Sequence, residues 1–198
     1  MFMRATVVVS EYVTWVPAVV IFVRSYGKHS AKEMGTYDKA VATAAILMQP
    51  GLLLIDHGHF QYNAVMFGFT LLAVDCFLAD RVLWGSLFFV LSLCFKQMAL
   101  YYAPIVFAYL LGLCVLPGLR IDFGRLVMLG ATVIATFALM FAPLVVFGGP
   151  EQIGQCLFRV FPFARGLWED KVANFWCATN VLIKFRETFS SATLQRAR

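Results

Sequence analysis

Residues 52–67 read LLLIDHGHFQYNAVMF, and within them the eight positions from Asp56 to Asn63 hold an aspartate, two histidines, a glutamine, a tyrosine and an asparagine. In a water-soluble protein such a stretch is an ordinary surface turn. The surroundings forbid that reading here. Hydrophobic residues make up 61% of the 198-residue chain and charged residues 14%, whereas soluble domains carry about a quarter charged residues. Mean hydropathy is +0.79. The 20 phenylalanines suit helix surfaces that face lipid better than surfaces that face water. The composition therefore predicts an all-α, polytopic membrane protein, and the polar cluster must lie where its helices meet water or a watery cavity.

Working outward from the cluster, spans of about 20 apolar residues are sought. The clearest are Thr6–Val23, Met98–Leu116 and Leu126–Phe147, with shorter ones at Ala40–Ile55, Tyr62–Ala79 and Val82–Phe95. Together they give about six spans over residues 1–147, followed by a segment over 148–198. If all six cross, segment 24–39 (Arg24, Lys28, Lys32 and Lys39 against Glu33 and Asp38), the turn at Asp80 and Arg81, and loop 117–125 share one side. Cations are in excess there, which predicts the cytosolic side. The opposite side then carries the Asp56–Asn63 loop, Lys96 and the segment after Phe147, so these face a lumen or the exterior.

The net charge of +5 does not point to nucleic acid, because no Lys/Arg cluster falls on a soluble element. Cys76, Cys94 and Cys114 sit in apolar runs, where cysteine behaves as a small hydrophobe. Cys156 and Cys177 lie outside the spans and are the only two placed to pair in an oxidising lumen. In the tail, Trp168, Val172, Phe175, Trp176, Thr179, Leu182 and Ile183 recur at helical spacing. Glu169, Asp170, Lys171, Asn174 and Asn180 fall on or near the other face. That pattern fits a helix lying in the membrane interface or one packed on the bundle. Thr6–Val23 is too long for the apolar core of a signal peptide and lacks a small-residue cleavage site.

Asp56, His57, His59, Gln61, Tyr62 and Asn63 supply the donors and acceptors that sugar hydroxyls and phosphate oxygens require. The competing account is a polar turn in which Asp56 and Asn63 cap two helices. His57 and His59 offer two metal ligands with no third, which argues against a metal site. Lys96 lies at the same boundary, either as a snorkelling lysine or as a phosphate partner beside Tyr101 and Tyr102. Arg159 and Arg165 suit phosphate or diphosphate, against the alternative of a solvated charge run. Glu11, well inside the first span, is expected to pair with another helix.

Three of these stretches carry a family resemblance. IDHGHFQYN (55–63), CFKQMALYYAP (94–104) and RVFPFARGLWEDKVANFW (159–176) resemble signatures of the endoplasmic-reticulum α-1,3-glucosyltransferases of the dolichol pathway. KQMALYYAP and EDKVANFW resemble the members that add the first glucose. HFQYN and a version of FPF-RGL are shared with the sister members that add the second. The resemblance implies a GT-C type helix bundle in the endoplasmic reticulum membrane, inverting and without a bound metal or cofactor. Its donor would be dolichyl-phosphate glucose and its acceptor the lipid-linked oligosaccharide Man9GlcNAc2-diphosphate-dolichol, met on the luminal face. All three signatures fall on the side that the loop charges place away from the cytosol.

On this resemblance His57, His59, Gln61 and Asn63 would contact substrate, with Lys96 and Arg159 or Arg165 on phosphate. Asp56, the only carboxylate in its loop, is the fallback acid–base group. The family's acidic DYPP-type and histidine-rich HVHEK-type motifs are absent from these 198 residues. The chain is therefore expected to be an internal piece of a larger enzyme and inactive alone. A transporter would call for inverted repeats or paired broken helices, and neither is evident. A non-catalytic membrane subunit would keep the fold without the base.

Overall fold

A computed structural model of the chain describes residues 2–29, 34–59, 61–116, 120–160 and Thr179. The chain divides after Phe147, and the two parts are described separately. The first begins with α1 (Phe2–His29) and α2 (Thr36–Leu47). α2 stops where Gln49 precedes Pro50, since proline disfavours helical backbone in the residue before it. Gln49 is accordingly non-helical, at φ −59° and ψ 117°. Pro50 then opens a single turn, α3 (Pro50–Leu52), which widens directly into a π-helix over Leu53–Gly58. After Gln61 and Tyr62 follow α4 (Asn63–Leu78) and α5 (Val82–Phe95), a 3₁₀ stretch (Gln97–Tyr101) and α6 (Ala103–Cys114). Strands β1 (Val115–Leu116) and β2 (Arg120–Ile121) pair antiparallel, and α7 runs over Phe123–Gly148.

Among the described residues, three segments are long and apolar enough to cross a membrane: Ala5–Tyr26, Thr36–Gly58 and Phe123–Gly148. Asn63–Leu78, Val82–Phe95 and Ala103–Cys114 are shorter apolar helices. Two expectations are corrected here. Met98–Leu116, read as one clear span, is split between a 3₁₀ stretch and a 12-residue helix. Pro104 explains the split, because a residue with fixed φ and no N–H belongs in a first helical turn rather than a helix interior. Conversely Ala40–Ile55, read as short, belongs to a 23-residue segment, because the chain resumes its helical path after Gln49.

The core lies between α1 and α4. Trp15, Val19 and Val23 pack with Leu52 and Ala64, all buried. Gly68 permits the close approach of the two helices: a Cβ there would lie 3.0–3.1 Å from backbone atoms of Thr14 and Trp15. α4 and α5 are tied by polar groups, with Ser92 Oγ donating to the Met66 carbonyl at 2.9 Å and bonding Thr70 Oγ1 at 2.8 Å. α7 buries only Leu129 and Thr136, while Val127, Ile134, Leu139, Val146 and Phe147 are exposed. So much apolar surface is tolerable only against lipid or further protein. The folding places Asn63 and Lys96 together at one end of the helices and Asp80, Asp122 and Arg125 around one groove.

In the second part, α8 (Glu151–Val160) sets Ile153, Cys156, Leu157 and Val160 on one stripe. Glu151, Gln152, Gln155 and Arg159 stand on the other side. The amphipathic pattern at 168–183, Cys177 and Arg165 lie outside the described residues apart from Thr179.

Candidate substrate-binding groove

The π-helix determines how the polar cluster is presented. Its wider turn departs from the usual 100° per residue. Leu54 and Ile55 are left exposed, while Asp56 turns inward to 1% exposure. There Asp56 Oδ2 accepts the backbone N–H of Ala64 at 2.6 Å, and Oδ1 accepts the side-chain Nδ2 of Asn63 at 2.8 Å. The N-terminus of α4 is thus capped from seven residues upstream, since Tyr62 at the N-cap makes no side-chain cap bond. Asp56, the fallback acid–base group, stands here as this cap, buried and with both oxygens engaged by N–H donors.

Asn63 passes this order on to Lys96. With its Nδ2 held by Asp56 and by Gln61 Oε1 at 3.1 Å, its amide oxygen points the other way and accepts from the Lys96 ammonium. Gln61 Oε1 accepts from the same ammonium at 3.1 Å. Both acceptors on Lys96 are neutral amides. The one ion pair among the described residues joins His57 to Glu11, so the charge of Lys96 is oriented but not neutralised.

Beside this network lies a groove of about 460 Å³ lined by His59, Gln61 and Asn63, with Gln49, Ile55 and Met98 among its other walls. Among the described residues, no carboxylate lines it. His59 and Gln61 are exposed, and Gln61 keeps its amide NH₂ while its Oε1 accepts from Asn63 and Lys96. An apolar wall, hydrogen-bonding side chains and one oriented ammonium suit an amphiphile with a hydroxylated or phosphorylated head.

His57 stands apart from the groove. Its Nε2 lies 2.6 Å from Glu11 Oε2, with Glu11 only 8% exposed. Glu11 therefore pairs with another element, as expected, and the pair fastens the π-helix to α1. Thr6 Oγ1 bonds Tyr62 Oη at 2.9 Å and makes a second fastening. Arg159 is exposed on α8 in the other part of the chain. Sequence reasoning missed Gln49 and Met98. The Gln49-Pro50 break was a legible signal for the first, and nothing in the sequence singles out Met98.

Apolar helices of spanning length, with a polar groove beside the Lys96 ammonium at one helix end, define a polytopic all-α membrane protein. The model of the ALG6, ALG8 glycosyltransferase family matches residues 1–197. The chain belongs to that family. It is 48% identical over 195 residues to a dolichyl pyrophosphate Man9GlcNAc2 alpha-1,3-glucosyltransferase of Saccharomyces cerevisiae, covering 98% of this chain and 35% of the relative. A probable enzyme of the same name from Schizosaccharomyces pombe is 46% identical over 98% of this chain and 38% of its own length. The Gallus gallus enzyme is 45% identical over 98% and 37%. The chain thus spans somewhat over a third of the length of the relatives it matches.

Proposed function

We propose that this chain forms part of a membrane glucosyltransferase that moves glucose from dolichyl-phosphate glucose to dolichyl-diphosphate Man9GlcNAc2. The reaction inverts the sugar and takes place on the luminal face of the endoplasmic reticulum membrane, in service of protein N-glycosylation. The names and identities of the relatives support the substrate class. One structural observation carries the role of this segment: the Lys96 ammonium is held by two amide oxygens, beside a groove that no carboxylate of the described residues lines. A fixed, uncompensated cation at a water boundary draws a phosphate, the group that donor and acceptor both carry.

In this reading His59, Gln61 and Asn63 contact the headgroup and Lys96 meets its phosphate. His57 acts through Glu11 to hold the loop, and Arg159 and Arg165 remain candidates for a second phosphate contact. The acceptor hydroxyl's proton goes to a base other than Asp56, whose oxygens are both bonded.

The test is transfer of labelled glucose to lipid-linked oligosaccharide by membranes carrying the complete polypeptide in which this sequence occurs. Lys96→Met keeps the length of the side chain and removes the charge. Transfer should fall about tenfold or more, the effect of losing one charge-assisted bond to phosphate, with the amount of protein unchanged. Equal kinetics for the variant would remove Lys96 from the site.

A further inference from the structure

A second polar groove lies between the turn that follows α4 and the start of α7. Asp80, Asp122 and Arg125 line a volume of about 400 Å³ there, with Leu129 among its apolar walls. Leu129 also lines a neighbouring groove of about 290 Å³ between α6 and α7. That second groove is apolar: Phe107, Leu110, Leu126, Val133 and Ile134 are among its walls. Gly130 leaves it open, with nothing within 4 Å of where a Cβ would stand.

The three charges are arranged in a particular way. Arg125 Nη1 donates to the Leu113 carbonyl at 2.8 Å, and its backbone N–H is accepted by Asp122 Oδ1 at 3.0 Å. The guanidinium is thereby steadied while its remaining N–H groups stay available. Asp80 sits exposed on a turn at φ 57°. Cation and carboxylates share one groove, yet no ion pair within 4.0 Å joins them among the described residues. Opposite charges held apart around a common space are complementary to a zwitterion. An apolar groove alongside adds room for a hydrocarbon chain.

We propose that the two grooves together bind a phospholipid with a primary-amine headgroup. Its phosphate lies on Arg125, its ammonium lies between Asp80 and Asp122, and an acyl chain follows the α6–α7 groove. The position suits such a lipid, because the turn and the hairpin mark the helix ends, where hydrocarbon gives way to water. A choline headgroup carries the same charges but has no N–H to donate to the carboxylates. A glycerol headgroup has no cation at all, so both carboxylates would face an unbalanced phosphate.

The proposal is tested by native mass spectrometry of the purified protein, offered phosphatidylethanolamine, phosphatidylcholine and phosphatidylglycerol with identical acyl chains. The ethanolamine lipid should be retained about fivefold over the choline lipid, the scale of a partly exposed charge-assisted bond. Arg125→Ala should lower the retention of both the ethanolamine and the choline lipid, since both carry the phosphate. Because that substitution also removes the bond to Leu113, Asp80→Asn serves as the second variant. Asparagine tolerates positive φ, so the turn survives while the carboxylate is lost, and the preference for the ethanolamine lipid should disappear. Equal retention of ethanolamine and choline lipids by the unsubstituted protein would overturn the proposal. A preference that survives Asp80→Asn would do the same and leave the groove to a protein segment.

Discussion

Replacing Asp56 by asparagine changes one atom and should weaken the network that holds Lys96. In the native arrangement both carboxylate oxygens accept, one from the backbone of Ala64 and one from Asn63. Asparagine offers a single acceptor and sets an NH₂ against one of these donors. If it keeps the Ala64 bond, its NH₂ faces the NH₂ of Asn63. If Asn63 flips to restore that contact, its own NH₂ is turned onto the Lys96 ammonium. Either way one bond to a buried charged group is lost, at about 2–3 kcal/mol. At about 2–4 °C per kcal/mol for a chain of this size, the midpoint of thermal unfolding in detergent should fall by about 4–12 °C. Asp75→Asn is the control, because Asp75 Oδ1 is buried without a hydrogen-bond partner and gives up no bond. Its midpoint should stay within about 2 °C of the native value. The reasoning fails if Asp56→Asn matches the unsubstituted protein, or if Asp75→Asn proves the more damaging change.

Three further outcomes follow from the packing. Gly68→Ala places a Cβ 3.0–3.1 Å from helix backbone that cannot turn aside, so α1 must move off α4. Overpacking of about 1–3 kcal/mol should exceed the ~1 kcal/mol gain in helix propensity, and denaturant titration should show net destabilisation. Ser92→Ala leaves the Thr70–Met66–Ser92 cluster, in which Met66 and Ser92 are fully buried, without its bridge, which should cost about 1 kcal/mol in the same titration. For Glu11 and His57, a double-mutant cycle with Glu11→Gln and His57→Gln should give a coupling of about 1 kcal/mol. That is modest because the histidine is 39% exposed. A coupling near zero would mean that the pair does not fasten the π-helix to α1.

The sequence made the helical membrane class legible through sheer apolar content. It also singled out Asp56–Asn63 as the stretch on which the local architecture turns, and it required Glu11 to find a partner. What it could not convey was which way each side chain in that stretch points. Helical periodicity assumes 3.6 residues per turn, and the π-helix over Leu53–Gly58 breaks that rule. Asp56 consequently moves inward to cap α4, and His57 moves to α1 rather than into the groove. Hydropathy alone likewise merged Met98–Leu116 into one span, because a sliding average passes over a single Pro104. The resemblance motifs marked Lys96, but its orientation by Asn63 depends on a bond between residues 33 apart.

The α4–α5 hairpin is short for a membrane. Its helices hold 16 and 14 residues, or about 24 and 21 Å of rise, against roughly 30 Å of hydrocarbon. A helix longer than the bilayer tilts, whereas a shorter one is accommodated by local thinning of the lipid, by snorkelling of flanking residues or by association with other helices. Where lipid borders this hairpin, both leaflets would be drawn inward, towards Lys96 at one end and the Asp80 turn at the other. A lipid-borne headgroup would meet either charge with less of its chain pulled out of the bilayer. A short hairpin of this kind would shape the solvent around it.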